Sequence, residues 1–137
     1  GKEAALAMYE AGADVVFHAA GGSGAGLFEA AKETSDTSGS HVWAIGVDSD
    51  QINQVNEELK PFILTSMLKQ VGVSVYTTIV AFVGTGTQSG VTVFELSNDG
   101  VGYSTTGGFV DDIVDQLEVL KASIIDGDLE VPTVPEG

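Results

Sequence analysis

Two apolar runs, separated by a glycine-rich turn and a helical segment, constrain the fold of this chain most strongly. The first run, residues 14–19, precedes glycines at positions 21, 22, 24 and 26, and the second, residues 43–47, ends at Asp48. This order is typical of open α/β folds, which bind small polar ligands at the carboxyl ends of parallel strands. The sequence therefore predicts an α/β domain with a mainly parallel sheet flanked by helices.

The remaining segments continue this alternation of helical and strand-like patterns. Helical composition or spacing predicts helices over residues 2–11, 27–33, about 67–83 and 110–125. Short apolar or β-branched runs predict strands over residues 14–19, 42–47, 62–66, 91–96 and 102–105, the last two around a turn at 98–100. The connecting segments are predicted as a turn at 21–26, a polar loop at 34–40, short helical or turn structure at 50–59 and an extended tail at 129–137.

The composition is that of a globular domain. The chain has 137 residues, of which 43% are hydrophobic, enough to bury a core. It contains no cysteine, which excludes disulfides and thiolate metal sites within these residues.

The charge is strongly acidic. Twenty Asp and Glu residues face five lysines and no arginine, giving a net charge of −15. Nucleic-acid binding is close to excluded, because so few cations would neutralise phosphates. Such acidity is explained by a halophilic source, where salt screens the self-repulsion of surface carboxylates, or by solubility alone. Of these two explanations, we expect a halophilic source.

No segment is predicted to span a membrane. The longest apolar run, residues 71–83, carries Ser74, Thr77 and Thr78 and is shorter than the roughly 20 residues that a spanning helix needs. The chain opens within a helical pattern and without an initiator methionine, so we expect further residues upstream.

Several motifs in a fixed order resemble those of the basic membrane lipoprotein family, the purine nucleoside receptor type of ABC-transporter substrate-binding protein. They cover nearly the whole chain and are DVVF (14–17), AGGSG (20–24), FEAAK (28–32), WAIGVDSDQ (43–51), ILTSMLK (63–69), DGVG (99–102) and IDGDLEVP (125–132).

The resemblance implies a two-lobed type I periplasmic-binding-protein fold that closes on its ligand. Residues 1–137 would form the C-terminal portion, mostly the C-terminal lobe, with about residues 65–85 contributing to the other lobe. The implied function is capture of a nucleoside, most often a purine nucleoside, for an ABC importer. The implied partners are permease subunits, the location is extracytoplasmic with a lipid anchor, and neither enzymatic chemistry nor a cofactor is expected.

Four residues are the candidate ligand contacts. Asp48, at the end of the second strand, can accept two hydrogen bonds from a vicinal diol, although Asp also commonly caps a following turn. The matching family position binds ribose, which favours the ligand role. Lys69 can donate to a ligand, brace Asp48 or simply be solvated. Gly21 and Gly22 let backbone N–H groups approach a sugar or base closely, or serve only the turn.

Other polar residues have structural interpretations. Asp50 is expected to cap a turn, and His18 to be a satisfied core or rim residue. His41 is expected to be exposed, and Gly24 and Gly26 to serve the turn and helix packing. The acids within 111–118 match the solvated face of a helix, and the histidines lack the spacing of a metal site.

Two alternative functions stay open at this point. The first alternative is an NAD-type enzyme domain, because the glycines at 22, 24 and 26 together with Asp48 loosely resemble a dinucleotide-binding fingerprint. The third glycine, however, comes one residue early for that fingerprint. Type I binding folds also serve in ligand sensors, and no residue of this chain distinguishes a sensor from an importer.

Overall fold

Helices and strands alternate along most of the chain. The computed structural model describes residues 1–87 and 89–134. The helices and strands are α1 (Lys2–Glu10), β1 (Val15–Phe17), α2 (Ala25–Ser38), β2 (Trp43–Asp48), β3 (Ile63–Lys69), α3 (Val71–Thr85), β4 (Val101–Tyr103) and α4 (Val114–Asp126). Short 3₁₀ turns lie at Gly21–Gly24, Gln51–Asn53, Lys60–Phe62, Leu96–Asn98 and Asp111–Ile113.

The strands within the described ranges form one sheet in the order β1-β2-β3-β4. Strands β1, β2 and β3 are parallel, whereas β4 runs antiparallel to β3. The predicted α/β fold with a mainly parallel sheet is therefore confirmed. Because the three parallel strands point the same way, their carboxyl ends share one edge.

Helices α1 and α2 cover the sheet and form the core with it. Helix α2 follows the glycine turn and presents Leu27, Ala30 and Ala31 at helical spacing; all three are buried. Phe28 beside them and Ile63 of β3 are almost completely buried. The Tyr9 hydroxyl of α1 donates to the Trp43 carbonyl oxygen of β2 over 2.8 Å, which fixes α1 against the sheet.

Helix α3, all of whose residues the structure describes, buries none of them, in contrast to α1 and α2. One stripe at helical spacing carries large apolar side chains that are more than half exposed. The stripe consists of Val75, Tyr76, Ile79, Phe82 and Val83. At the base of this excursion from the sheet, the Gln70 N–H donates to the Gly100 carbonyl oxygen over 2.9 Å.

The predicted loop at 34–40 is wrong for its first five residues, which continue α2 to Ser38. The Lys32 ammonium pairs with the Asp36 carboxylate one turn later, and this pair supports the helix. The helix ends where Gly39 adopts the left-handed conformation, with φ of 74°.

The predicted start of a helix near Met67 is also wrong. Residues 67–69 extend β3 because that strand has a partner on each side. Met67 pairs with Val47 of β2 and with Tyr103 of β4, so backbone pairing in the sheet outweighs the helical pattern.

The predicted strand at 91–96 is absent from the part of the chain that the structure describes. Val91 is 93% exposed, and its segment pairs with no strand of the sheet. The Asn98 side chain instead donates to the Val93 carbonyl oxygen and accepts from the Glu95 N–H. A polar side chain that bonds the local backbone in this way competes with strand pairing.

The end of the chain has little regular structure, and the prediction about membrane spans concerns the helices. Residues 129–134 contain neither helix nor strand, and residues 135–137 of the predicted extended tail lie outside the described residues. Among the described helices, none combines the length and the apolar character needed to cross a membrane.

Candidate functional site

The carboxyl edge of the parallel strands brings the candidate residues to one side of the sheet. Gly21 and Gly22 follow β1, Asp48 ends β2 and Lys69 ends β3. Asp48 pairs in register with Leu68, which places Lys69 one residue beyond it. Open α/β sheets bind their ligands at this edge.

Asp48 and Lys69 are in direct contact. The Lys69 Nζ atom lies 2.8 Å from Asp48 Oδ1, and the two side chains remain 55% and 52% exposed. An exposed pair of this kind adds little to folding stability, because water solvates both charges. Its exposure leaves carboxylate lone pairs and ammonium hydrogens available to a polar ligand.

Asp48 also has an uncommon backbone conformation. Its φ is 69°, in the left-handed region that residues with a Cβ seldom adopt. Strain of this kind collects at functional positions, where the surrounding structure holds it in place.

Gly21 and Gly22 border open space. A Cβ atom built on either glycine would meet no atom within 4 Å, and Gly21 has a φ of 53°. A ligand can therefore approach the backbone closely at these two glycines. Within the described ranges, these glycines share the edge with Asp48 and Lys69 but make no hydrogen bond to either.

Asp50 lies at the start of the 3₁₀ turn Gln51–Asn53, but its side chain caps no backbone N–H there. Its Oδ2 atom accepts from Asn53 Nδ2 over 2.7 Å and from Thr106 Oγ1 over 2.6 Å. The prediction that the Asp50 side chain caps the turn is therefore wrong. Asp50 instead joins the turn after β2 to the loop after β4.

The two histidines lie where expected, apart from one detail. His41 is exposed, and His18 is 8% exposed and bonded to Gln51. The prediction of a fully satisfied His18 is wrong for one ring nitrogen, because Nδ1 is buried without a hydrogen-bond partner in the described structure.

The chain matches, over residues 1–134, the family model described as ABC transporter substrate-binding protein PnrA-like, or Bmp. This chain belongs to the Bmp family. The resemblance to the basic membrane lipoproteins is thereby confirmed, and the family is one of ABC transporter substrate-binding proteins.

Relatives of the Bmp family are similar along nearly the whole chain. The CD4+ T-cell-stimulating antigen of Listeria monocytogenes is 37% identical over 144 residues, covering 98% of this chain and 40% of the relative. The ABC transporter nucleoside-binding protein BmpA of Lactococcus lactis is 35% identical over 146 residues, covering 97% of this chain and 40% of the relative. The chain thus spans 40% of the length of these relatives.

A solved structure is similar in fold. The ABC transporter system solute-binding protein of Aeropyrum pernix K1 superposes with a TM-score of 0.69 and 26% sequence identity. The match covers 98% of this chain and 44% of that one.

Sequence reasoning missed Gln51 and Ser66 of this Bmp-family chain. Ser66 is fully buried in β3, and its Oγ accepts the Gln51 backbone N–H over 3.1 Å. Gly46 was the available signal, because an isolated glycine inside a strand marks a close approach. A Cβ there would lie 2.5 Å from Ser66 Oγ and 2.7 Å from Gln51 Oε1.

Proposed function

We propose that this chain is part of the extracytoplasmic substrate-binding component of an ABC importer and binds a nucleoside, most suitably a purine nucleoside, between two lobes. The observation that carries the proposal is the half-exposed Asp48–Lys69 pair at the carboxyl edge of the sheet. Membership of the Bmp family and a 35% identical relative named as a nucleoside-binding protein support it.

Ribose fits the chemistry of this pair. A carboxylate accepts hydrogen bonds from two adjacent hydroxyls, and bonds to a charged group contribute about 1.5–3 kcal/mol each. The Lys69 ammonium donates to a ribose oxygen or a base acceptor, and the open backbone at Gly21 and Gly22 approaches the ligand closely. These contacts make or break no covalent bond, so the proposed role is that of a binding protein and not of an enzyme.

The second lobe would come largely from outside these residues. The chain spans 40% of its relatives, and we propose that it forms mostly the C-terminal lobe. Of the predicted range, about residues 65–85, the exposed apolar stripe supports a contribution of α3 to the other lobe, because apolar side chains of this size are normally covered. Residues 65–69 belong to β3 of the sheet. The rest of the base and ribose contacts would then lie on that lobe.

The cellular setting follows from the importer role. The partners are the permease subunits, and the receptor lies outside the cytoplasm, held at the membrane by a lipid anchor. No feature of the described residues favours a sensor or an NAD-dependent enzyme over this function.

Calorimetric titration of the intact receptor in high salt tests the proposal, with guanosine, adenosine, inosine, ribose and NAD as ligands. Tight binding of a nucleoside with ribose and NAD silent is the expected result. The Asp48→Ala variant should bind at least about tenfold more weakly, which corresponds to about 1.4 kcal/mol.

Asp36→Ala is the matched control, because it removes an exposed, lysine-paired acid from α2, away from the strand ends. Its affinity should equal that of the wild type. Binding of NAD alone would overturn the receptor function in favour of an enzyme, and an unchanged affinity in Asp48→Ala would remove the ribose assignment.

A further inference from the structure

A group of polar side chains joins the three parallel strand ends behind the Asp48–Lys69 pair. This polar clasp consists of His18 just after β1, Gln51 in the turn after β2, and Ser66 in β3. His18 is 8% exposed and Ser66 is fully buried. Buried polar groups need partners, so the bonds among them constrain the positions of all three strands.

Gln51 lies at the centre of the polar clasp. Its Oε1 atom accepts the backbone N–H of Val47 over 2.7 Å and lies 2.9 Å from His18 Nε2. Its own backbone N–H donates to Ser66 Oγ over 3.1 Å. One residue thereby contacts the residue after β1, the end of β2 and the middle of β3.

The hydrogen bond from Val47 also indicates the tautomer of His18. Because a backbone N–H can only donate, the Gln51 atom facing it is the oxygen and not the amide nitrogen. His18 Nε2 must then carry the hydrogen that it shares with this oxygen. Nδ1 is buried without a partner in the described structure, so a hydrogen there would have no acceptor.

Two glycines make room for the polar clasp. A Cβ on Gly24 would lie 2.0 Å from His18 Nδ1, and a Cβ on Gly46 would lie 2.7 Å from Gln51 Oε1. Real Cβ atoms do not approach other atoms this closely, so both positions exclude a side chain while the clasp is formed. The close packing of His18 and Gln51 thus requires glycine at positions 24 and 46.

We propose that Gln51 is a positioning residue for ligand recognition, acting through the polar clasp without touching the ligand. Val47 directly precedes Asp48, His18 comes three residues before Gly21, and Ser66 comes three residues before Lys69. Loss of the Gln51 oxygen would leave two donors without their acceptor and free these strand ends to separate. The inference builds on the proposed nucleoside site and adds the residue that holds it together.

Three variants of the intact receptor test this role. Gln51→Leu removes the acceptor, and Gln51→Glu keeps an oxygen for both donors. Gln54→Leu makes the same apolar change at the exposed glutamine that ends the same turn, whose side chain bonds Ser49 Oγ and lies outside the polar clasp. Calorimetry gives the nucleoside affinity of each variant, and ¹⁵N NMR of the imidazole rings gives the tautomer of His18, with exposed His41 as the internal reference.

We expect Gln51→Leu to weaken nucleoside binding at least about tenfold, Gln51→Glu to stay within about threefold of the wild type, and Gln54→Leu to bind normally. Wild-type His18 should show the Nε2–H tautomer, and Gln51→Leu should change its ring signals. A purely structural role would lower the melting temperature of Gln51→Leu without changing the affinity of the folded protein.

The outcomes separate this role from the proposed function. If the wild type binds nucleoside and folded Gln51→Leu binds equally well, the positioning role is wrong and the receptor function stands. If the wild type binds no nucleoside, the receptor function fails, and the ligand role of Gln51 with it. If Gln51→Leu does not fold, two results still decide against the role: weak binding by Gln51→Glu, or an Nδ1–H tautomer in wild-type His18.

Discussion

Asp48 combines a carboxylate that we propose binds ligand with a backbone conformation that favours glycine. Its φ of 69° places the carboxylate within 2.8 Å of Lys69 Nζ at the end of β2. A left-handed conformation costs an L-residue on the order of 1–2 kcal/mol, less for Asp than for most residues. We therefore interpret the retention of a Cβ here as a requirement for the carboxylate and not for stability.

Replacing Asp48 separates the two properties. The free energy of unfolding of Asp48→Gly should equal that of Asp48→Ala or exceed it by up to about 1 kcal/mol, because glycine tolerates positive φ. Both variants should lose nucleoside affinity, since both lack the carboxylate. Thermal unfolding and calorimetry measure the two effects; an alanine variant more stable than the glycine variant would contradict the strain argument.

Gly24 and Gly22 offer a second comparison at the residue scale. Gly24→Ala should destabilise the protein by about 1–3 kcal/mol, because its Cβ would overlap the ring of His18. Gly22→Ala should change stability by less than about 0.5 kcal/mol, because no atom lies within 4 Å of its Cβ position. Denaturant unfolding measures both, and equal losses would show that helix or turn propensity outweighs the contact with His18.

A residue of the candidate site could be predicted only where its type and its position at the end of one strand are enough to assign it to the site. A carboxylate, a lysine and glycines following apolar runs could be assigned to the carboxyl edge from parallel topology alone, and the structure places Asp48, Lys69, Gly21 and Gly22 there. Gln51 could not be assigned, because its role depends on how closely β3 approaches β2 at Gly46.

At the scale of elements, the strands and helices of the core followed from sequence, whereas the segments near β4 did not. Continuous apolar runs identified β1, β2 and most of β3, because short runs of this kind bounded by turn residues are typical of parallel strands. The segment 91–96 has the composition of a strand, but Asn98 bonds its backbone locally. The amino end of α3 was misplaced because only the tertiary partners of β3 determine where that strand ends.

The contact between α1 and β2 predicts a pH dependence. Burial raises the pKa of Tyr9 from 10.0 to about 12, because its hydroxyl is held away from water against the Trp43 carbonyl. An unfolded Tyr9 releases its proton at lower pH than the folded one, so the free energy of unfolding should fall as pH rises from 10.0 to about 12.

Tyr9→Phe isolates this contribution. Denaturant unfolding across the same pH range should show a shallower fall in the variant, which has no hydroxyl to titrate at this position. Its stability below pH 10 should be lower than that of the wild type by about 1 kcal/mol, because the hydrogen bond to Trp43 is gone. Identical pH slopes in the two proteins would remove Tyr9 from the explanation.

If α3 contributes to a second lobe as proposed, its exposed stripe is the face that we expect that lobe to cover. In the intact receptor, Ile79→Lys should lower the unfolding free energy by about 2–4 kcal/mol, because it buries an ammonium in an apolar contact. Thr77→Lys, on the opposite face of the helix, should have little effect. Thermal unfolding of both variants measures this, and equal tolerance of the two would place the stripe in solvent.

At the scale of the whole molecule, cations are too few to balance the acids. Each of the five lysines already lies within 4.0 Å of a carboxylate, through the pairs of Lys2, Lys32, Lys60, Lys69 and Lys121. Most of the twenty acidic residues therefore face solvent without a cation from the chain. Their mutual repulsion opposes the folded state until salt screens it.

The melting temperature should accordingly rise from millimolar to molar KCl. Screening is nearly complete at molar salt, where the Debye length is about 3 Å. Sucrose at matched osmolality is the control, because it strengthens apolar burial without screening charge. A melting temperature that is flat in KCl, or that rises equally in sucrose, would contradict the halophilic interpretation.

The hydrogen bond between Gln70 and Gly100 gives the excursion that contains α3 the geometry of a lever. This bond joins the outgoing and returning chains immediately beyond Lys69, and we take it as the pivot. Helix α3 has 15 residues and is therefore about 22 Å long, so a rotation of about 10° at the pivot carries its far end about 4 Å. The same rotation hardly displaces Lys69. Large travel at the far end of α3 is thus compatible with an almost stationary Lys69 at the proposed site.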